Sequence, residues 1–169
     1  MFRLFFFSLS FLIAAGCNTA NQKKNSLYDE QIFISAQKYL TIKTGLQPTN
    51  KTDDLFLLKT ADSSTYICKK RNILIGDLND DKFEDAVVSY QEVDNENTIR
   101  YYHLVFINKS GELIPLKVIE KKMQVKQIKN GIVIAEHSKL DSDAPNYGCK
   151  LCTEKIKLKL IGDSLALIP

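Results

Sequence analysis

The sequence predicts an α+β fold, an N-terminal amphipathic helix packed on a curved antiparallel β-sheet that runs as a meander. Three observations predict it. A helical period appears in SLYDEQIFISAQKYLTIKTG, where Ile32, Phe33, Ala36, Tyr39 and Leu40 fall at offsets 0, 1, 4, 7 and 8. Beyond Asp54 the period changes to two, in segments such as LFLLK, DAVVSYQ, TIRYYHLVFIN, GIVIAEH and EKIKLKL. The breaks between those segments are short and turn-forming, which suits antiparallel hairpins, since parallel crossovers need about a dozen residues.

The chain opens with MFRLFFFSLSFLIAAGC: Arg3, an apolar run from Leu4 to Ala15, and small residues before a cysteine. That order is an export signal. Its ending, Ala14-Ala15-Gly16-Cys17, resembles a bacterial lipobox, with Ala14 where leucine is commoner. The resemblance implies cleavage after residue 16 and a thioether-linked diacylglycerol on Cys17. NTANQKKNS is polar and aperiodic, so residues 17–26 read as the lipidated cysteine and a flexible tether. Residues 27–169 then form a single α+β domain, of a size that buries about two thirds of its unfolded surface. Acyl chains hold such a protein at the membrane while the domain stays in water. The expected location is the bacterial cell envelope, on the outer membrane or facing the periplasm. The formal net charge of +3, lowered by one when Arg3 leaves, indicates no nucleic-acid partner.

A helix is expected over roughly 27–43, with Ser26 as N-cap, Asp29 in the first turn and Gly45 ending it in a left-handed conformation. GLQPTNKTDD reads as a loop, because proline and the polar cluster break any period. STYIC and NILIG read as two further strands. Asp94-Asn95-Glu96-Asn97, Lys109-Ser110-Gly111 and Lys129-Asn130-Gly131 supply turns. The helix would cover one face of the sheet, and the alternating lysines of EKIKLKL would charge the other.

Within this frame GDLNDDKFEDAVVSY carries the densest chemistry. Counting from Asp77, oxygen-bearing side chains stand at positions 1, 3, 5 and 9 (Asp77, Asn79, Asp81 and Asp85), and Phe83 at position 7 offers its backbone carbonyl. A loop coiling round a hard cation turns alternate residues inward, so this spacing suits Ca²⁺. The stretch resembles the D-x-[DN]-x-[DN]-G-x-x-D loop of FG-GAP and integrin-type calcium repeats, in which the last Asp leads straight into a strand. It is not an EF-hand, because Val88 holds position 12 where a bidentate Glu belongs. Lys82 stands where the loop family has Gly, placing a Cβ in a sharp turn and a cation beside the ion. The alternative reading is a metal-free Asx-turn loop. A wider resemblance, over most of residues 70–165, is to small uncharacterised bacterial envelope lipoproteins of sheet-rich fold with no assigned chemistry.

With Cys17 lipidated, Cys68, Cys149 and Cys152 remain. Cys149 and Cys152 are spaced like a redox pair, yet the following TEKIKLKL is a strand and supplies no helix N-terminus to lower a thiol pKa. A structural disulfide is therefore expected between Cys149 and Cys152, with Cys68 as the alternative partner. Cys68, His137, Cys149 and Cys152 also make up a Cys₃His zinc set. His103 and His137 lie in strand-like runs as half-buried sheet residues, and no serine sits in a nucleophile elbow. Tyr101, Tyr102 and Phe106 read as side chains alternating between faces. The expected function is a membrane-anchored, non-enzymatic binding or accessory module for an unknown protein or small molecule, stiffened by calcium if the loop is occupied. The alternative is an envelope thiol-redox factor or enzyme using Cys149 and Cys152.

Overall fold

Ala86, Val87 and Val88 are consecutive and all fully buried, which an extended chain achieves only when both of its faces are covered. The computed structural model, which describes residues 18–138 and 152–169, shows what covers them. The helix α1 (Asn18–Thr44) begins inside the stretch read above as a tether. It is followed by β1 (Pro48–Lys51), β2 (Leu55–Lys59), β3 (Thr65–Gly76), β4 (Asp85–Val93), β5 (Ile99–Lys109), β6 (Glu112–Pro115) and β7 (Ile119–Glu120). Next come β8 (Met123–Lys129), β9 (Ile132–Ser138), β10 (Thr153–Ile161) and β11 (Ser164–Ile168).

The architecture is α+β and its strands pair antiparallel, but they form two sheets rather than one. The first holds seven strands in the order β1-β2-β3-β4-β5-β6, with β7 pairing to β5; the second holds four in the order β11-β10-β9-β8. On one side of the first sheet, Ala86, Val88, Leu104 and Phe106 pack with Ile32, Phe33, Ala36 and Leu40 of α1. The Phe33 and Phe56 rings meet there with centroids 5.2 Å apart. On the other side, Val87, Val105 and Ile107 pack with Val133, Ala135, Ile156 and Leu158 of the second sheet. The face expected to carry charge is thus a second core. The lysines of EKIKLKL do point outward, with Lys155, Lys157 and Lys159 exposed, but from the far side of the second sheet.

Three local differences have simple causes. Pro48, Asn50 and Lys51 lie in a stretch read as a loop, yet they pair with β2 as an edge strand, where a leading proline is tolerated. STYIC and NILIG belong to the one strand β3, whose pairing with β4 is interrupted between Cys68 and Ile73, a bulge that splits the period without ending the strand. LIPLKVIE divides into β6 and β7, both paired to β5. The turns follow their residues: Asn130 and Gly131 both take positive φ (51° and 69°), as a tight hairpin twisting with its strands requires.

The two sheets approach closely where β3 ends. A Cβ on Gly76 would sit 2.7 Å from Cγ2 of Ile128 on β8, so glycine is what lets these strands touch. Gly76→Ala is expected to destabilise the domain by about 1–3 kcal/mol through overpacking. Combined with Ile128→Ala, the total should fall short of the sum of the single changes by about 0.5 kcal/mol or more, because they share one contact. Urea unfolding of the four proteins measures this, and additive effects would show that the contact does not set the cost.

Candidate functional site

Asp77, Asn79, Asp81 and Phe83 lie in the turn between β3 and β4, and Asp85 opens β4. Each acceptor folds back onto its own backbone. Asp77 accepts from the N–H groups of Asn79 (3.2 Å) and Lys82 (2.9 Å), Asn79 from Asp81 N–H (3.2 Å), and Asp81 from Phe83 N–H (2.8 Å). The Asn79 amide also donates to Asp81 at 2.8 Å. Lys82 has φ 71° and so takes the left-handed turn its position demands, despite its Cβ; Asp80 does the same at φ 61°. This chain of Asx turns keeps three oxygen-bearing side chains on alternate residues of one loop. Among the described residues no three His, Cys, Asp or Glu side chains converge as a metal cluster.

Asp85 has a different task. It is fully buried, and its two oxygens accept from Leu78 N–H (2.7 Å) and Asn108 N–H (2.9 Å), clamping the loop to the end of β5. Burial pushes its carboxyl above the usual range, the two N–H bonds oppose that, and the nearby Asp81 and Asp77 charges add to the rise. Asn108 extends the clamp by donating to Tyr28 Oη of α1 at 3.0 Å, and Tyr28 in turn donates to the Glu84 carbonyl.

A second feature lies further along the same strands. On the inner face, β4 runs Val87, Ser89, Gln91 and β5 runs Val105, His103, Tyr101, with Ser89 opposite His103 and Gln91 opposite Tyr101. The apolar row between the sheets thus turns polar, and a cleft of about 450 Å³ opens there, lined also by Arg71, Lys122 and Glu136. His103 is only 1% exposed. Its Nε2 lies 3.0 Å from the Lys121 carbonyl, which can only accept, so Nε2 carries the proton. Nδ1 therefore accepts from the Ser89 hydroxyl at 2.8 Å. Burial holds the His103 pKa below its ordinary value, opposed by the bond to Lys121.

Neither Ser89 nor its pairing with His103 was legible as a site. The alternation Val87-Ser89-Gln91 is visible in the sequence, but the cross-strand register that sets it against Val105-His103-Tyr101 is not. Tyr101 and Tyr102 do face opposite ways: Tyr101 lines the cleft, whereas Tyr102 donates to Glu92 at 2.7 Å and stacks on Tyr90 beside the helix-side core.

Cys68 is a free thiol, fully buried in the helix-side core, and burial pushes its pKa up to about 12. The alternative disulfide through Cys68 is therefore not the arrangement here, because its side chain packs beneath α1. That same position separates it from His137 on β9 of the other sheet, whose Nδ1 donates to the Lys122 carbonyl at 2.7 Å. Cys17 and Cys149 lie outside the described residues, and Cys152 directly precedes β10.

The buried, neutral His103 sets a pH dependence. Its folded pKa lies below the unfolded value of about 6.5, so stability is complete above that pH and is lost as pH falls through it, while only the unfolded chain takes up the proton. The limiting slope is about 1.4 kcal/mol per pH unit. Urea midpoints measured between about pH 7.5 and 5 should fall for the wild type and fall less for His103→Gln; equal slopes would exclude His103 as the cause.

Comparison of the chain with known protein families, curated proteins and solved structures returned no match.

Proposed function

We propose that this chain is a lipid-anchored module of the bacterial cell envelope that binds a small ligand in the cleft between its sheets and performs no chemistry on it. The observation that carries the reading is the change from Val87 and Val105 to Ser89, Gln91, His103 and Tyr101 on an inner face. Continued apolar residues there would let the sheets close and add to the core, whereas polar ones forgo that burial. The resulting space of about 450 Å³ lies within the range of ligand pockets. The inert Cys68 and the strand that directly follows Cys152 favour a binding module over a thiol-redox factor. Attachment rests on the signal and Cys17; no helix among the described residues is long and apolar enough to cross a membrane.

Two measurements on the processed protein check this reading. The mature chain should begin at Cys17 with a mass increased by a diacylglycerol, and an uncleaved chain would end the anchoring part of it. In nuclear magnetic resonance screening against a library of small polar fragments, binders should move the amides of Ser89, Gln91, Tyr101 and His103. Ser89→Trp, which fills the cleft, should abolish those shifts; shifts that persist in this variant would exclude the cleft.

Calcium in the β3–β4 loop is the second part of the proposal. It is supported by the alternate oxygens of Asp77, Asn79 and Asp81, by the left-handed Lys82, and by the repulsion that Asp77 and Asp81 exert on Asp85. With about 5 mM Ca²⁺ and a Kd of roughly 0.5 mM, in the weak extracellular range, binding to the folded state contributes about 1.4 kcal/mol. The melting temperature should then rise by roughly 3–6 °C. Asp77→Ala and Asp81→Ala should each remove the rise, and Lys82→Gly should enlarge it. An unmoved wild-type curve, with Asp81→Ala well folded, leaves the loop as a metal-free turn.

A further inference from the structure

We infer that the inter-sheet cleft takes a small anion that also carries a hydrogen-bond donor, a hydroxyl or amine beside a carboxylate or phosphate group. The inference rests on the cleft being the ligand site and adds the chemistry it selects.

The charge balance of the lining supplies the anion. Arg71 lies on the bulge where β3 leaves its pairing with β4. It stands in no ion pair among the described residues. The neighbouring cation is treated differently: Lys70 is held by Glu30 at 2.6 Å. Arg100, the other arginine among the described strands, is held by both Glu92 (3.6 Å) and Asp94 (3.3 Å). Glu136, the one carboxylate among the described residues that line the cleft, is already engaged by Lys126 at 3.0 Å. A guanidinium left without a counter-ion beside a concave surface favours an anionic ligand, and its fork fits carboxylate and phosphate oxygens alike.

The Ser89–His103 pair supplies the donor. His103 spends its N–H on the Lys121 carbonyl, so Ser89 must give its only proton to Nδ1. What Ser89 then presents to the cleft is lone pairs. A bare anion facing them is repelled, an apolar group leaves them desolvated, and a hydroxyl or N–H satisfies them. Gln91, in the same lining, is a polar group that a hydroxylated ligand can also engage.

The test uses probes that separate the two requirements. Gluconate carries carboxylate and hydroxyls, hexanoate the carboxylate alone, and glucose the hydroxyls alone; glycerol 3-phosphate, inorganic phosphate and glycerol repeat the comparison for phosphate. Titrations of the folded domain, followed at the amides of Ser89, Gln91 and His103, should give gluconate or glycerol 3-phosphate an affinity at least tenfold above both of its partial analogues. The stronger of the two identifies the anionic group. Arg71→Gln should remove most of that affinity without changing the response to glucose or glycerol. Ser89→Ala should erase the advantage of gluconate over hexanoate. Equal binding of hexanoate or glucose overturns the inference while leaving the cleft as a ligand site. Silence from all six probes overturns it as well, and the fragment screen then decides separately whether the cleft binds anything.

Discussion

The antiparallel pair of β4 and β5 has to be kept dry on both faces, and this requirement shapes every other element. Ala86, Val88, Leu104 and Phe106 need a cover on one side and Val87, Val105 and Ile107 on the other. One helix covers the first set, because the stripe Ile32, Phe33, Ala36 and Leu40 is wide enough to span the paired strands. The other face is closed by the second sheet, β8 to β11. Each buried side chain of this kind contributes about 1.5–3 kcal/mol, so neither cover is dispensable to a domain whose net stability is about 5–15 kcal/mol.

Polar groups occur in this double core only where they are matched. Asp85 closes one end of the ladder with two backbone N–H partners, and His103 sits in the inner row with Ser89 and the Lys121 carbonyl. No buried side-chain nitrogen or oxygen among the described residues lacks a partner. The two sites nevertheless differ in what their bonds achieve. At Asp85 the partners come from the loop and from β5, so the carboxylate ties the turn to the central ladder. Between Ser89 and His103 the bond satisfies both groups yet leaves the serine lone pairs facing open space. The first arrangement is a clamp and the second is an open surface. That contrast is why the cleft, and not the acidic turn alone, carries the functional reading.

The acidic turn also shows how local chemistry and tertiary setting meet. Lys82 adopts the left-handed conformation that the loop spacing demands, at the cost its Cβ imposes. The side chain of Asp85, which the spacing groups with the other oxygen donors, is committed to backbone partners deep in the fold. Tyr28 and Asn108 then link the turn to α1. An ion in the loop would relieve the repulsion that Asp77 and Asp81 exert on Asp85, and would thereby strengthen a contact shared by helix, loop and central strand.

What the sequence by itself determined here is what depends on nearest neighbours. The 3.6-residue stripe from Ile32 to Leu40 places the helix, period two places the strands, and Asn130-Gly131 shapes its turn through φ preferences alone. The inward orientation of Ile156 and Leu158 against the exposed lysines is equally local, since alternate side chains must face opposite sides of a strand. Tertiary structure decided what those faces meet. Period two says that Val87 and Ser89 share a face, but not whether that face meets solvent, helix or a second sheet. Only the pairing register sets Ser89 against His103, because register depends on strand partners far apart in the chain. The same limit hid the bulge at Cys68–Ile73, which puts Arg71 at the cleft. A bulge is defined by what the partner strand does, and no single strand's sequence contains its partner.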